Sequence, residues 1–308
     1  MNYYSNGKLL LTAEYLVLEG AKSLALPTKF GQNLHVKKNN SHQLIWRSFT
    51  VTKEIWFEAV FDLPKLRLLS CSFNSEKEGS AEFIAETLLD ILTEAKRLNS
   101  NFLALDHGIE VTTELTFPGN WGLGSSSTLI NSIASWAKVD AFQLLWNSFK
   151  GSGYDIACAQ NDTPIYYQIK EQKPIVDSVV FNPEFKDNLY FVYLKQKQDS
   201  KDGIAKFRES NIDYSAQINR ISEISDQFIT VKSIDVFNSL ILEHEQIISS
   251  IIKLQPVKDR LFPDYFGEVK SLGAWGGDFV LATGNQETPN YFKNKGFETI
   301  LSYSEMIL

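Results

Sequence analysis

Pro118-Gly119-Asn120-Trp121-Gly122-Leu123-Gly124-Ser125-Ser126-Ser127 is the stretch from which the rest of the chain can be read. Ahead of it, Ile109 to Leu115 alternates as a half-buried strand does. Behind it, Ser127 to Val139 carries apolar residues at helical spacing. A strand, a glycine-rich loop and a helix in succession let backbone N–H groups come close to an anion. Glycine removes the side chain, and the first helical turn offers unpartnered donors and a favourable dipole. Three consecutive hydroxyls can bond phosphate oxygens, and one of them has the chemistry of a Mg²⁺ ligand. Taken alone, the same letters would also make a capped turn. No lysine follows the last glycine, so this is not a Walker A loop, and a positive group must come from elsewhere.

Working toward the N-terminus, Glu82 to Leu98 reads as an amphipathic helix with Phe83, Leu88, Ile91, Leu92 and Ala95 on its apolar face. Lys8 to Leu11, Phe30 to Val36, Leu44 to Phe49 and Glu54 to Phe61 read as strands. Gly7-Lys8 opens the first of these and Glu14-Tyr15 follows it. Toward the C-terminus, Asp140 to Phe149 is a second helix with Asp140 as N-cap. Next comes Gly151-Ser152-Gly153-Tyr154-Asp155-Ile156-Ala157. Phosphoryl transfer to an alcohol needs a carboxylate near the hydroxyl and a cation near the transferring group, and Asp155 and Lys8 are of those types. Cys158 reads as a small buried residue.

Charges and prolines interrupt the pattern from Glu171 to Asp187, which places a domain boundary there: residues 1–175 and 176–308. Beyond it, Asn188 to Leu194 is a strand, Lys201 to Leu254 is mostly helical, and Phe279 to Ala282 and Glu298 to Leu301 return to sheet. Strands and helices mix without βαβ alternation, which predicts an α+β fold. Lys195, Lys197 and Lys201, together with Lys270, are cations that a phosphorylated acceptor would need. Gly273-Ala274-Trp275-Gly276-Gly277-Asp278 reads as a turn before a strand or a backbone that closes over substrate.

Composition narrows the classes. The 308 residues are 44% apolar, enough for real cores, and 30 basic against 37 acidic residues leave a formal charge of -7. That balance disfavours nucleic acid and anionic membranes as partners, although local cations can still bind an anion. Two cysteines and four scattered histidines form neither a disulfide framework nor a zinc motif. The start lacks a signal-peptide pattern and no apolar run is long enough to span a bilayer, so the expectation is a cytoplasmic protein.

Together these pieces resemble the GHMP kinase superfamily, whose members include galactokinase, homoserine kinase, mevalonate kinase and phosphomevalonate kinase. Its three motifs are matched in order, by Gly7-Lys8 to Leu18-Glu19-Gly20, by the serine loop, and by Leu272 to Leu281. The Gly-Ser-Gly-Tyr-Asp-Ile-Ala segment looks closest to phosphomevalonate kinase-like members, in a bacterial subgroup named after Gly-Tyr-Asp-Ile-Ala. The resemblance implies an N-terminal α+β domain, a C-terminal ferredoxin-like domain, ATP and Mg²⁺ as cofactors, and a small-molecule acceptor. A homodimer is among the assemblies it allows.

Carried over residue by residue, the resemblance makes Asp155 the base or acceptor-orienting carboxylate and Lys8 its charge-neutralising neighbour. Ser126 becomes the Mg²⁺ ligand, and Gly122, Leu123, Gly124, Ser125 and Ser127 surround the phosphates. Glu14, Lys197, Gly276 and Gly277 fall on the acceptor side. The acceptor expected is phosphomevalonate, with mevalonate as the nearest alternative, diphosphomevalonate decarboxylation third, and a nucleotide-binding module without turnover as the reading from another class. Two departures stand out. Gln143 to Lys150 contains no acidic residue where mevalonate kinases place a second Mg²⁺ ligand, and the bulky Trp275 interrupts the third motif.

Overall fold

The computed structural model describes residues 1–63, 65–74, 80–149, 151–196, 207, 212–273, 275 and 277–308. The chain divides into two compact units, each discontinuous in sequence. One comprises residues 1–7, 30–119 and 124–160, the other residues 8–29, 120–123 and 161–308.

In the first unit, strands β3 (Gln43–Phe49), β4 (Ile55–Asp62) and β5 (Arg67–Phe73) form an antiparallel meander. β3 also lies parallel to β6 (Gly108–Leu115), which pairs with residues Gln32 to Asn39 of β2 (Ser23–Asn39). Alternation along β3 turns Leu44, Trp46 and Ser48 inward. That face is covered by α1 (Ala81–Leu98), α2 (Ser125–Ala137) and α3 (Ala141–Ser148), and Leu88, Ile91, Leu92, Ile130, Ile133 and Leu144 complete the core. Ser80 caps α1 through the Phe83 N–H, and Asp140 caps α3 through the Gln143 N–H at 2.7 Å, as the sequence predicts for Asp140.

Seventeen residues make β2 long because its two ends pair differently. Ser23 to Ala25 bond β7 (Ile165–Lys170), whereas Gln32 to Asn39 bond β6. Pro27, which has no N–H for a ladder, sits between the two paired stretches. β1 (Asn2–Leu10) pairs with β2, and β8 (Lys173–Ser178) pairs with β7.

The second unit carries a four-stranded antiparallel sheet in the order β10 (Val269–Ser271), β11 (Phe279–Thr283), β9 (Leu189–Tyr193), β12 (Ile300–Ser302). Between β9 and β10 run α5 (Ser215–Thr230), α6 (Ile234–Ile252) and the short α7 (Val257–Leu261). Between β11 and β12 runs α8 (Thr288–Asn294). A strand–helix–strand–strand–helix–strand order with the first and third strands central is the ferredoxin-like arrangement, here with extra helices in the first crossover. Its sheet packs Val192, Val280 and Ala282 against Phe262, Tyr265 and Phe292. The helical stretch expected from Lys201 is confirmed from Ser215 onward; residues 201–206 and 208–211 lie outside the described residues.

Candidate active site

The backbone of the serine loop is set by its glycines. Gly122 (φ 67°) and Gly124 (φ 91°) both occupy the left-handed region that glycine enters without a Cβ penalty. A Cβ on Gly122 would lie 2.8 Å from the Cβ of Asp278 and closer still to its carboxylate, so glycine is enforced by space as well as by φ. Gly124 is the N-cap of the 13-residue α2 and supplies no side-chain cap, which leaves first-turn N–H groups for another acceptor.

The three serines separate. Ser126 is exposed and Ser125 half-buried, both in the first turn of α2. Ser127 is buried and its Oγ donates to the Gly124 carbonyl at 2.8 Å, so that hydroxyl braces the loop. Below the loop α2 is anchored by polar contacts that sequence reading missed. Thr128 donates to the Gln32 side chain at 2.8 Å, and Asn131 donates to Ser5 at 2.9 Å.

Within the second unit, Lys8 meets the front half of the loop. Its backbone N–H donates to the Leu123 carbonyl at 3.0 Å and its ammonium donates to the Gly122 carbonyl at 2.9 Å. Trp121 packs edge-on against Phe279, and Tyr193 donates to the Asn120 carbonyl at 2.8 Å. Asp155 belongs to the first unit, in the first turn of α4 (Tyr154–Gln160), half-buried, with one carboxylate oxygen accepting from the Ile156 N–H at 3.1 Å. Cys158 is fully buried, as expected.

Glu14 and Lys270 pair with each other. Both are fully buried and form an ion pair at 2.7 Å. His244 and Glu245 of α6 complete the cluster. The His244 Nε2 lies 3.2 Å from Glu14 Oε2 and accepts the Ala13 N–H at 3.1 Å. Glu245 accepts from the Ser271 N–H at 3.1 Å and the Ser271 hydroxyl at 2.7 Å. Burial pushes Glu14 up to about 7, partly offset by Lys270, and burial drives His244 well below its ordinary value. The sequence does carry a signal for this cluster. His244 and Glu245 fall on the same stripe of α6 as Phe237, Leu240, Ile241, Ile248 and Ile251, and polar residues on an apolar stripe mark buried partners.

Gly277 is buried in the turn before β11, and Trp275 is buried with a positive φ of 61°. Lys197 and Gly276 lie outside the described residues. A cavity of about 660 Å³ opens in the first unit where α2 ends, between Phe102, Leu103, Ile109 and Trp136 with Lys37, Lys38 and Lys138 among its lining residues. The serine loop lies at the other end of that helix, and helix C-termini present carbonyls, which disfavour anions. Among the described residues no group of three or more His, Cys, Asp or Glu could hold a metal, and no helix is long and apolar enough to cross a membrane.

The fold is similar to the two-domain fold of solved GHMP kinase structures. A mevalonate kinase crystal structure superposes with a TM-score of 0.69 at 16% identity, covering 98% of each chain. The Streptococcus pneumoniae phosphomevalonate kinase in complex with phosphomevalonate and AMPPNP gives 0.68 at 15%, over 98% of this chain and 99% of that one. Lactococcus lactis galactokinase complexed with galactose gives 0.62 at 12%, over 96% and 88%. No family model and no curated protein sequence matches the chain.

Proposed function

We propose that this protein is an ATP-dependent small-molecule kinase that transfers the γ-phosphoryl group to a mevalonate-pathway acceptor, phosphomevalonate first and mevalonate second. The observation that carries the proposal is the loop: two left-handed glycines, an uncapped helix N-terminus and an exposed Ser126, with Lys8 bonded to the Gly122 carbonyl. The Gly-Ser-Gly-Tyr-Asp-Ile-Ala segment supports the choice of acceptor, and the fold is shared alike with a phosphomevalonate kinase and a mevalonate kinase.

In this reading the first-turn amides of α2 and the Ser125 hydroxyl bind phosphate oxygens, and Ser126 would hold Mg²⁺, which supplies charge neutralisation between the phosphates. The Lys8 ammonium keeps positive charge beside the loop. Phosphoryl transfer leaves the protein little covalent work, so positioning and electrostatic stabilisation provide most of the acceleration. Asp155 orients the acceptor oxygen. When the acceptor is an alcohol it also takes the proton. When the acceptor is a phosphate, the nucleophile is already anionic and no strong base is needed.

The test is ADP release with Mg-ATP against mevalonate, phosphomevalonate, diphosphomevalonate, homoserine and galactose. Turnover that depends on phosphomevalonate is the expected result. Turnover with another member renames the acceptor, and silence with retained ATP binding replaces the kinase by a nucleotide-binding module.

A further inference from the structure

The cavity where α2 ends is built entirely from the first unit, and neither the serine loop nor Asp155 lines it. Its volume of about 660 Å³ falls inside the range of roughly 300–1,000 Å³ usual for small-molecule sites.

The walls are apolar and held in place. Phe102 and Trp136 meet edge to face, with ring centroids 4.7 Å apart and planes at 83°. Val36 of β2 and Ile109 of β6 supply the sheet side, and both are buried. Leu103 completes the lining at φ 57°, a left-handed conformation that a bulky residue keeps only where its surroundings enforce it. The enforcing contacts run through Asn99. Its side chain donates to the Ala137 carbonyl at 2.7 Å, and its own carbonyl accepts the Phe102 N–H at 2.9 Å, which ties the Leu103 turn to the last turn of α2.

The carbonyls at that helix end are also occupied. Besides Ala137, the Ala134 carbonyl accepts from the Val139 N–H at 3.0 Å and the Ser135 carbonyl from the Lys138 N–H at 3.3 Å. These three acceptors therefore ask no donor of a ligand.

The exposed edge of the lining is basic. Lys38 lies opposite Ile109 in the β2–β6 register and two residues beyond Val36, so it shares the sheet face that borders the cavity. Lys138 follows α2 directly and is exposed, as Lys38 is. Lys37 stands on the other face, in register with Glu110, and takes no part. Against the two ammonium groups stands Asp106, whose carboxylate lies 2.8 Å from the His107 ring. An apolar body bearing a single negative charge at one end complements this arrangement. Phosphate, with more charge and no apolar surface, does not.

We infer that this cavity binds a small carboxylate with an aromatic body, its rings against Phe102, Leu103 and Trp136 and its carboxylate at Lys38 and Lys138. Perpendicular aromatic walls offer a planar ring one face and one edge, which is the preferred geometry for aromatic contacts. This binding goes beyond the kinase function and stands without it.

The probe is naphthalene-2-carboxylate, titrated into the full chain by calorimetry, with naphthalene-2-carboxamide as its uncharged counterpart. The carboxylate is expected to bind with a Kd of about 0.1–1 mM at low salt. Binding should weaken about tenfold for the carboxamide, about tenfold in the Lys38→Glu, Lys138→Glu double variant, and about threefold when salt is raised to about 0.5 M. The indole N–H signals of the six tryptophans, assigned by triple-resonance spectra, locate the ligand. The Trp136 signal should shift on titration while those of Trp121 and Trp275 stay. No heat and no shift up to about 5 mM overturns the site, being well above the expected Kd. A shift at Trp121 or Trp275 in place of Trp136 overturns its location. Equal affinity for carboxylate and carboxamide overturns the role of the two lysines. If the double variant does not fold, the carboxamide and salt comparisons on the wild type decide that role.

Discussion

Replacing Gly122 by alanine tests the loop geometry at its tightest point. The residue sits at φ 67°, where a Cβ costs about 1–2 kcal/mol. The new methyl would overlap the Asp278 carboxylate and lie 2.8 Å from its Cβ, so the backbone or Asp278 must shift, at about 1–3 kcal/mol. Together these give roughly 2–5 kcal/mol, and a chain of this size should lose roughly 5–10 °C in Tm. Differential scanning calorimetry on Gly122→Ala, Asp278→Ala and the double variant separates the two contributions. With Asp278 cut back to alanine the carboxylate overlap goes but the 2.8 Å approach of its Cβ stays, so the alanine should cost less than in the wild type yet more than the backbone part of about 1–2 kcal/mol. Gly151→Ala is the control, since nothing lies within 4 Å of its added Cβ, and its Tm should stay within about 1 °C. If Gly122→Ala melts with the wild type, or truncating Asp278 gives no relief, the close approach drawn from the structure is wrong.

Asp155→Ala should lower kcat by at least about a hundredfold while the Kd for ATP stays within about threefold, read by acceptor-dependent ADP release and by calorimetric titration. Equal losses in both would remove Asp155 from the acceptor side. Lys8→Met should depress kcat and also loosen the loop, because the Gly122 carbonyl loses its ammonium donor, and faster amide exchange across residues 120–123 would register it. Asp140→Ala should cost about 1 kcal/mol in urea unfolding, with no change in KM for either substrate. Leu92→Ala, at a fully buried position of α1, should cost about 2–5 kcal/mol by the same assay.

The elements most legible in the sequence are those whose signals are local. Asp140 announces α3 because a cap acts on the N–H three residues on, and α1 shows its apolar stripe within a single window. The serine loop was legible for the same reason, since glycine, hydroxyl and helix start are neighbours in the chain. β5 (Arg67–Phe73) escaped notice because it is an edge strand whose burial hardly alternates, leaving little periodic contrast to read. β8 was obscured by Pro174 and by charges that suit an edge strand as well as a linker. The resemblance places Glu14 on the acceptor side, and nothing near it in sequence announces the partners it has in the fold. Its partners, His244, Glu245 and Lys270, are more than two hundred residues away, and only the fold supplies them. Ser127 reads like its neighbours, yet helical geometry turns its hydroxyl back onto Gly124.

The Glu14–Lys270 ion pair spans 256 residues of chain, and that separation has a consequence during synthesis. At about 5–20 residues per second, a ribosome needs roughly 10–50 s to add the lysine after the glutamate. Throughout that interval Glu14, in an early-made part of the second unit, lacks the ammonium it pairs with in the folded chain, and burying it ionised and unpaired is costly. The first unit has all of its segments once residue 160 has emerged, whereas the second has all of its own only when the last strands leave the tunnel. Nascent chains arrested shortly before residue 270 should therefore leave the Leu11–Tyr15 turn open to protease, and chains released at full length should protect it.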